Sequence, residues 1–371
     1  MRLLMLLILA VWIKRYLDSL LLDTMNHFSG PSLRPPLPDP PRVSVIVAAR
    51  NEARVIERCL RSLTTQRYPN YAIIVADDRS TDSTAEIIRE KFPSVRYVRI
   101  PSLPEGCAGK SHALFVAQRE ATGEWLLFTD ADTIHSEHAI LAPLTYALKN
   151  RVQMLTLLSQ PLSVSFWEKL LQPITCLMLF MLFPVERINK PGGRTAFANG
   201  QYILIRRDAY DLIGGHGQLL TFPLEDIAMA QNAKRKNVRF ELLYGGDVLT
   251  CRMYSSLREL WSGWERIFFL IFSDRIVLLP AIIAIIITLS LMPYAGIFFS
   301  PRLALAQLLF VHLSSERAYA FIHADRRYII AHPFGCAILI GILWSAFWKK
   351  ICGGGVSWKG RRYYQQNFLN R

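Results

Sequence analysis

The feature that most constrains this chain is a run of 26 consecutive residues without a formal charge, Ile276 to Pro301. About 20 apolar residues suffice to cross a bilayer as an α-helix. A second uncharged run extends from Tyr328 to Trp348 and ends in aromatic residues just before Lys349 and Lys350, a pattern typical of a membrane interface. The sequence therefore predicts a C-terminal transmembrane region over residues 271–350.

Three further apolar segments are shorter. Leu3–Ile13 predicts a short N-terminal membrane anchor within residues 1–22. For Leu170–Val185, uncharged for 16 residues, we expect a helix lying on the membrane, within residues 166–185, with a buried core helix as the alternative. Leu303–Leu313 is compatible with a re-entrant, interfacial or third spanning segment, and we adopt two C-terminal spans.

The distribution of basic residues predicts sidedness. Residues 349–371 contain six Lys and Arg and no acid, and basic flanks face the cytoplasm. Lys14 and Arg15, which follow the N-terminal apolar segment, also predict a cytoplasmic flank. Two spans after the large central region return the chain to the side of the membrane on which that region lies. We therefore expect a cytoplasmic domain over residues 43–270 and a basic cytoplasmic tail over residues 351–371. The protein is expected in the cell (plasma) membrane.

Residues 23–42 predict a stiff linker, because six of the 11 residues from Pro31 to Pro41 are prolines. From Val43 onward, short β-rich runs alternate with segments of helical period. This order predicts an α/β domain with a mostly parallel, Rossmann-like sheet and helices on both faces. Ligands of such sheets bind at the carboxyl ends of the strands.

Acidic residues follow two of the predicted strands, as Asp77-Asp78 and as Asp130-Ala131-Asp132. Converging carboxylates repel each other unless a cation lies between them, and oxygen ligands suit Mg²⁺ or Mn²⁺. The six cysteines show neither a CxxC pair nor paired Cys/His spacing, so we expect reduced thiols and no zinc site.

Two common nucleotide motifs are missing. The first strand is not followed by GxGxxG, and the P-loop pattern does not occur, which argues against a nicotinamide dehydrogenase or a P-loop ATPase. Gly109 and Lys110 instead open the third predicted helix, where an anionic group is favoured.

Four ordered motifs carry a family resemblance: VSVIVAARNE (43–52), VADDRSTDST (75–84), GKSHAL (109–114) and TDADT (129–133). They resemble glycosyltransferase family 2, and similarity continues through Asn199-Gly200-Gln201, Leu224-Glu225-Asp226 and residues 358–363. The chain looks most like non-processive membrane members that glycosylate lipids, such as hopene-associated, ceramide or carotenoid glycosyltransferases. The resemblance implies the glycosyltransferase A fold and a nucleotide-sugar donor.

The resemblance also implies roles for the matching positions. Asp226, in the acidic pair with Glu225, would be the general base, Asp132 would bind the metal with Asp130 beside it, and Asn199, Gly200, Gln201, Trp264 and Arg266 would lie on the acceptor or phosphate side. The nucleotide sugar would contact Ala49, Arg50, Asn51, Glu52, Asp77, Asp78, Lys110 and Asp130.

Elementary chemistry supports these roles. Transfer from a sugar diphosphate needs stabilisation of the departing diphosphate and a base near the acceptor hydroxyl, and one in-line displacement inverts the anomeric centre. We expect the glycine-rich loop at residues 214–217 to be flexible enough to close over a substrate. A helix cap is the plainer explanation of Glu225-Asp226 taken alone.

Processive synthases of the family carry Gln-x-x-Arg-Trp, whereas residues 260–269 keep Trp264 and Arg266 without that order. We therefore expect one or few sugars per acceptor, with a processive polysaccharide synthase as one alternative. A nucleotidyltransferase is another, and would release a different product. The third is a basic scaffold or nucleic-acid binder, suggested by a net charge of +14. No aromatic-basic groove supports nucleic acid, so we assign the charge to anionic lipid headgroups at the tail and a sugar diphosphate at the sheet.

Overall fold

The computed structural model describes residues 2–20 and 39–363, and these fall into two compact units. Residues 39–162 and 183–253 form the first, called here the sheet unit. Residues 2–20, 163–182 and 254–363 form the second, called here the helical unit. Residues 1 and 21–22 of the predicted anchor, 23–38 of the predicted linker and 364–371 of the predicted tail lie outside the described residues.

The strands are short and belong mainly to the sheet unit. In chain order they are β1 (Val43–Ala49), β2 (Tyr71–Asp77), β3 (Arg96–Arg99), β4 (Trp125–Asp130), β5 (Thr133–His135), β6 (Met154–Leu158), β7 (Gln160–Pro161), β8 (Ile203–Arg206), β9 (Phe240–Tyr244), β10 (Leu249–Cys251), β11 (Val356–Trp358) and β12 (Arg361–Tyr363).

The α-helices are divided between the two units. In chain order they are α1 (Arg2–Leu20), α2 (Ile56–Thr64), α3 (Thr84–Lys91), α4 (Gly109–Ala117), α5 (Leu141–Lys149), α6 (Phe166–Leu182), α7 (Val185–Asn189), α8 (Arg207–Leu212), α9 (Glu225–Arg235), α10 (Leu257–Ile271), α11 (Leu278–Ile286), α12 (Met292–Ala295), α13 (Pro301–Phe321) and α14 (His332–Ile351).

A seven-stranded sheet organises the sheet unit, in the order β3-β2-β1-β4-β8-β6-β9. Its pairs are parallel except those made by β8, which runs antiparallel to both β4 and β6. The predicted α/β fold with a mostly parallel sheet is confirmed. The antiparallel strand β8 was not predicted, because a four-residue strand leaves little periodicity to detect.

Both faces of this sheet are buried, as an α/β sheet requires. Along β1, Val43, Val45 and Val47 point into one apolar core together with residues of α2 and α5. Ile46 points to the other face, into a core shared with α4 and α9. Two apolar cores therefore hold the sheet from both faces, and the loops at the carboxyl ends of its strands are attached to a rigid scaffold.

The helical unit contains long apolar helices. By length and composition, three segments of the described residues are able to cross a membrane: Phe166–Asn189, which extends into the sheet unit, Leu278–Phe298 and Arg326–Ile351. The last two coincide with the predicted spans. Residues 303–313 lie within the single helix α13, which is outside that set and buries the polar Gln307, Ser314 and Ser315.

Candidate active site

The loops after β1 and β2 interlock at the carboxyl edge of the sheet. The Asp78 backbone N–H donates to the Ala49 carbonyl at 2.8 Å, and the Arg50 guanidinium donates to the Asp78 carbonyl at 2.7 Å. Asn51 has a left-handed backbone (φ 52°), and its side-chain oxygen accepts from the Thr81 N–H at 2.8 Å. The structure thus brings together the two polar loops that follow β1 and β2.

Asp77 is held firmly at the end of β2. The Tyr97 hydroxyl donates to its Oδ2 at 2.7 Å and the Ser80 N–H donates to its Oδ1 at 3.0 Å. Asp78 pairs with Arg79 at 3.2 Å, and the Glu52 N–H donates to the Thr84 hydroxyl of α3. These bonds fix the loop shape. Contact of this loop with a nucleotide stays a prediction.

The largely buried Lys110 joins Asp130, at the end of β4, to Glu225, at the start of α9. The Lys110 ammonium, in the first turn of α4, lies 2.6 Å from Asp130 Oδ1 and 2.8 Å from Glu225 Oε1. The Glu225 side chain is only 5% exposed and that of Lys110 15%. Residues 115 positions apart in sequence therefore meet at one ion-pair cluster.

Gly200 packs against the same cluster without a side chain. Its N–H donates to Asp226 Oδ2 at 3.0 Å, while the Ile227 N–H donates to Asp226 Oδ1 at 2.8 Å. A Cβ at Gly200 would lie 2.9 Å from the Lys110 ammonium and 3.0 Å from Asp226 Oδ2. Glycine is required here because of this close approach.

Burial and charge act in opposite directions on the cluster. Burial raises the pKa of Glu225 and of Asp226, and the neighbouring Lys110 ammonium offsets this only in part. Burial also opposes the charge of Lys110, but Asp130, Glu225 and Asp226 outweigh it and hold the pKa of Lys110 well above its ordinary value. Lys110 therefore stays protonated, and Asp226 binds a proton more tightly than an exposed aspartate does.

The acidic pair opens α9, but not as a conventional cap. Leu224 is the N-cap residue and its side chain makes no capping bond. Glu225 and Asp226 occupy the first turn, where a helix favours negative charge. Capping alone therefore does not account for this pair, since one acid pairs with Lys110 and the other with the Gly200 N–H.

Asn199 and Gln201 hold the loop that carries Gly200. The Asn199 amide donates to the Leu157 carbonyl at 2.9 Å, and the Thr129 hydroxyl of β4 donates to the Gln201 carbonyl at 2.7 Å. The Gln201 amide also donates to the Cys251 sulfur at 3.3 Å. The side chains of these two predicted acceptor-side residues bind the protein, so their direct role toward a substrate stays a prediction.

Asp132 is partly exposed and hydrogen-bonds to the Cys251 thiol. Within residues 2–20 and 39–363, no group of three or more His, Cys, Asp or Glu side chains is arranged to hold a metal ion. Asp130 and Asp132 offer hard carboxylate oxygens, which suit Mg²⁺ or Mn²⁺ provided that other oxygens complete the shell. The residues present therefore fit a metal shared with a bound diphosphate.

The glycine-rich segment forms a tight turn. Gly215–Gln218 is a 3₁₀ turn, and the buried His216 hydrogen-bonds with the Tyr210 hydroxyl at 2.9 Å. Gly214 has φ 82°, and a Cβ at Gly215 would meet the Tyr210 ring at 2.5 Å. The two glycines serve backbone geometry and close packing here, and closure of the segment over a substrate stays a prediction.

Sequence reasoning missed three supporting residues: Tyr97, His216 and Cys251. His216 is neutral because burial, aided by the Lys110 charge, lowers its pKa to about 3. Tyr97 and Cys251 lie outside the motifs, and His216 lies in the glycine-rich segment without a predicted role. Their signal is three-dimensional: Tyr97 donates to Asp77 and Cys251 accepts from Gln201, whereas His216 packs on Phe128 and Tyr210.

Trp264 and Arg266 belong to the helical unit. The Trp264 side chain is buried, and its indole N–H donates to the Gln172 side-chain oxygen at 3.2 Å. The Arg266 guanidinium lies over the Trp358 ring, 5.0 Å from its centroid. Their predicted acceptor or phosphate role stays a prediction, and the structure assigns Trp264 a packing function.

The fold is the glycosyltransferase A fold. A mannosyltransferase from Pyrobaculum calidifontis, solved in complex with GDP-Man and Mn²⁺, superposes with a TM-score of 0.53 at 18% identity, over 94% of this chain and 98% of its own. At that identity the likeness concerns the fold.

The family model for glycosyl transferase family 2 matches residues 44–214. Residues 44–214, just under half of the chain, are therefore similar to that family, and the protein is a glycosyltransferase.

Similar curated proteins are 4,4'-diaponeurosporenoate glycosyltransferases. The one from Staphylococcus haemolyticus is 28% identical over 229 residues, which is 60% of each chain, so this alignment spans less than two thirds of that relative. One from Staphylococcus aureus is 24% identical over 332 residues, 86% of this chain and 88% of its own.

Replacing Gly200 with alanine tests the geometry of the cluster. The new Cβ would push Lys110 and Asp226 apart, and a displacement of about 1 Å at a reacting group costs on the order of 100-fold in rate. We expect kcat/KM for sugar transfer to fall by about that factor while the thermal midpoint changes little. Gly217→Ala is the control, because its Cβ would meet only the Phe115 ring, at 3.2 Å. Equal activity of the two variants would contradict the assignment.

Proposed function

We propose that this protein is a membrane-bound, inverting glycosyltransferase that moves a sugar from a nucleoside-diphosphate sugar to a hydroxyl group of a lipid. The cluster of Lys110, Asp130, Glu225 and Asp226 carries the proposal. It supports the proposal because a cation and two carboxylates of α9 lie together at the edge of the sheet where ligands of such folds bind. Nothing comparable is needed for a scaffold, in which such a buried acidic cluster would only cost stability.

Asp226 is the proposed general base. Each of its oxygens accepts one backbone N–H, which leaves lone pairs to accept the acceptor proton. As that proton moves to Asp226, the acceptor oxygen bonds to the anomeric carbon, and the bond from that carbon to the diphosphate oxygen breaks. The electron pair leaves with the nucleoside diphosphate. One displacement inverts the configuration.

Glu225 and Lys110 are the proposed support for that base. Glu225 neutralises part of the Lys110 charge, and Lys110 in turn favours ionisation of Asp226. Lys110 also lies beside Asp130, so a donor bound there would feel the same ammonium.

Asp130 and Asp132 are the proposed protein ligands of Mg²⁺ or Mn²⁺, with Asp132 as the main one. When bound, such an ion neutralises charge on the departing diphosphate. The mannosyltransferase that shares the fold was solved with a nucleotide sugar and Mn²⁺, and we propose ligands of those two classes here. The loops carrying Arg50, Asn51 and Asp78 are the proposed nucleotide side.

A lipid acceptor is supported by the relatives, which are named for diaponeurosporenoate, and by helix α6. This helix is apolar and part of a segment long enough to span. However, β6 precedes it and β8 follows it, and these two strands pair in one sheet, Met154 opposite Ile205. A single crossing would separate them by the bilayer. We therefore infer that α6 lies in the membrane interface, as the sequence predicts.

The chain enters and leaves α6 through residues next to the Gly200 loop. Ser159, seven residues before α6, hydrogen-bonds to Gln201. Phe183, directly after α6, packs on Phe197 with ring centroids 4.9 Å apart. Both contacts lie within the sheet unit, at the two points where the chain leaves for α6 and returns from it.

We further propose one sugar, or few, per acceptor, a cytoplasmic sheet unit and the cell membrane as location. The absence of Gln-x-x-Arg-Trp order supports the first, and the basic residues after α14 support the second. A processive synthase of the same family is the second candidate, and a ladder of products would favour it.

The direct test is incubation of membranes containing the full chain with a panel of labelled nucleotide sugars, with metal or with a chelator. We expect one labelled lipid, identified by mass spectrometry, formed with one donor and lost on chelation. Transfer to soluble sugar but not to lipid, or release of a nucleotide-lipid product, would refute the proposal.

Asp226→Asn keeps the size of the side chain and removes its basicity. Because general base catalysis contributes about 10²–10⁴-fold, we expect kcat to fall by that range while donor binding, measured by calorimetry, is retained. Asp211→Asn, on the exposed surface of the sheet unit, is the matched control and should leave kcat unchanged. Full activity of Asp226→Asn would exclude it as the base.

The pH profile follows from the buried carboxylates. A base works only when it is ionised, and burial raises the pKa of Asp226. The ordinary pKa of an aspartate is about 3.9. As pH falls, kcat/KM should therefore begin to drop at a pH above the one that this ordinary pKa would set. A profile without an acidic limb down to that pH would contradict the electrostatics described above.

A further inference from the structure

The last described residues form a hairpin directly after a candidate span. Helix α14 ends at Ile351, and β11 and β12 pair antiparallel, Trp358 opposite Arg361 and Ser357 opposite Arg362. Near the end of α14, Trp344 and Trp348 are 46% and 48% exposed. Exposed aromatic residues at the end of an apolar helix are typical of the headgroup region, so the hairpin begins at that level.

One face of helix α10 holds this hairpin and the end of α14. Arg266 lies over the Trp358 ring, at 5.0 Å, and Phe269 lies under the Lys350 ammonium, at 5.6 Å. Residues three apart share a helix face. The Trp358 ring is in turn 6.4 Å from that of Tyr363.

Helix α10 is itself anchored by the two residues that precede Arg266. Trp264 donates to Gln172 of α6, and the buried Glu265 accepts from Lys349 and Ser345 of α14. Lys349 is therefore neutralised by Glu265, whereas Arg266 is presented toward the hairpin. The arrangement is a rigid one, since three successive side chains contact three different elements.

Two buried polar atoms in this region lack a hydrogen-bond partner among the described residues: the Lys350 ammonium and the Tyr363 hydroxyl. Leaving such groups unpaired is costly. The Lys350 ammonium can only donate, so its missing partner is an acceptor, and the Tyr363 hydroxyl can donate to an acceptor as well as accept. Asp274 is an acid whose charge acts on Lys350 without a hydrogen bond to it, and the excess of cations in residues 349–363 favours an anion. Residues 349–363 contain five Lys and Arg and no acid.

We propose that the hairpin, Arg266 and Lys350 bind the phosphate of an anionic phospholipid. A lipid is favoured over a free diphosphate because the site follows a candidate span and exposed interfacial aromatics, where phospholipid phosphates are concentrated. The inference deepens the membrane attachment proposed above and rests on it, but it does not depend on glycosyl transfer.

The test measures lipid binding to the full chain, purified in a non-ionic detergent, by native mass spectrometry without any sugar donor. Dioctanoyl phosphatidylglycerol and dioctanoyl phosphatidylcholine are titrated separately. We expect the anionic lipid to bind at least about tenfold more tightly. Tyr363→Phe and Lys350→Gln should each weaken its binding by about tenfold, the loss of one hydrogen bond to a charged group. The matched control is Arg235→Gln with Lys236→Gln, which removes two exposed charges from the sheet unit and should leave the preference intact.

Three results would overturn the inference: equal binding of the two lipids, unchanged binding to Tyr363→Phe, or an equal loss in the Arg235/Lys236 control. Displacement of the anionic lipid by equimolar inorganic pyrophosphate would also overturn it, and would assign the site to a diphosphate instead. Should Lys350→Gln fail to fold, Tyr363→Phe still decides, because it deletes one oxygen atom that has no partner in the described fold. Failure of sugar transfer would leave these binding results unaffected.

Discussion

One ammonium group, that of Lys110, shares a buried space with three carboxylates, and the rest of the site depends on that balance. Without Lys110, Asp130, Glu225 and Asp226 would repel each other in a region with little water. With Lys110, two of them form direct ion pairs with it and the third lies beside Gly200. Helix α4 and strand β4 each bring one member of the cluster to this edge of the sheet, and helix α9 brings two.

The same balance makes Asp226 suitable for the proposed role of general base. A fully paired aspartate would be a weak base, and an unpaired buried one would stay protonated near neutral pH. Asp226 lies between these limits, because burial raises its pKa while Lys110 counteracts the rise. The supporting bonds come from backbone N–H groups of Gly200 and Ile227, which cannot titrate. The geometry therefore persists while the proton moves.

Much of this architecture could be predicted from the sequence, and the reason differs between elements. The strands β1, β2 and β4 are short apolar runs ending in polar motifs, so both their positions and their common edge followed from periodicity and from the rule for parallel sheets. The meeting of Lys110 with Glu225 could not be predicted from local pattern, since it depends on where α9 packs. The close approach of the Tyr210 ring to Gly215 could not be predicted either, since it depends on how the turn at residues 214–217 packs.

The apolar helices likewise combine features that the sequence predicts with features that only the structure shows. Hydropathy located the apolar helices, but only the pairing of β6 with β8 excludes a single crossing by α6. Trp264 and Arg266 were grouped by motif, and the structure gives them different neighbours.

The central claim, a single displacement assisted by Asp226, is tested most directly by the anomeric configuration of the product. The glycolipid formed from an α-linked nucleotide sugar should be examined by nuclear magnetic resonance, reading the coupling constant of the anomeric proton. A β-linked product is predicted. An α-linked product would require a double displacement or a front-face mechanism and would contradict the role given to Asp226.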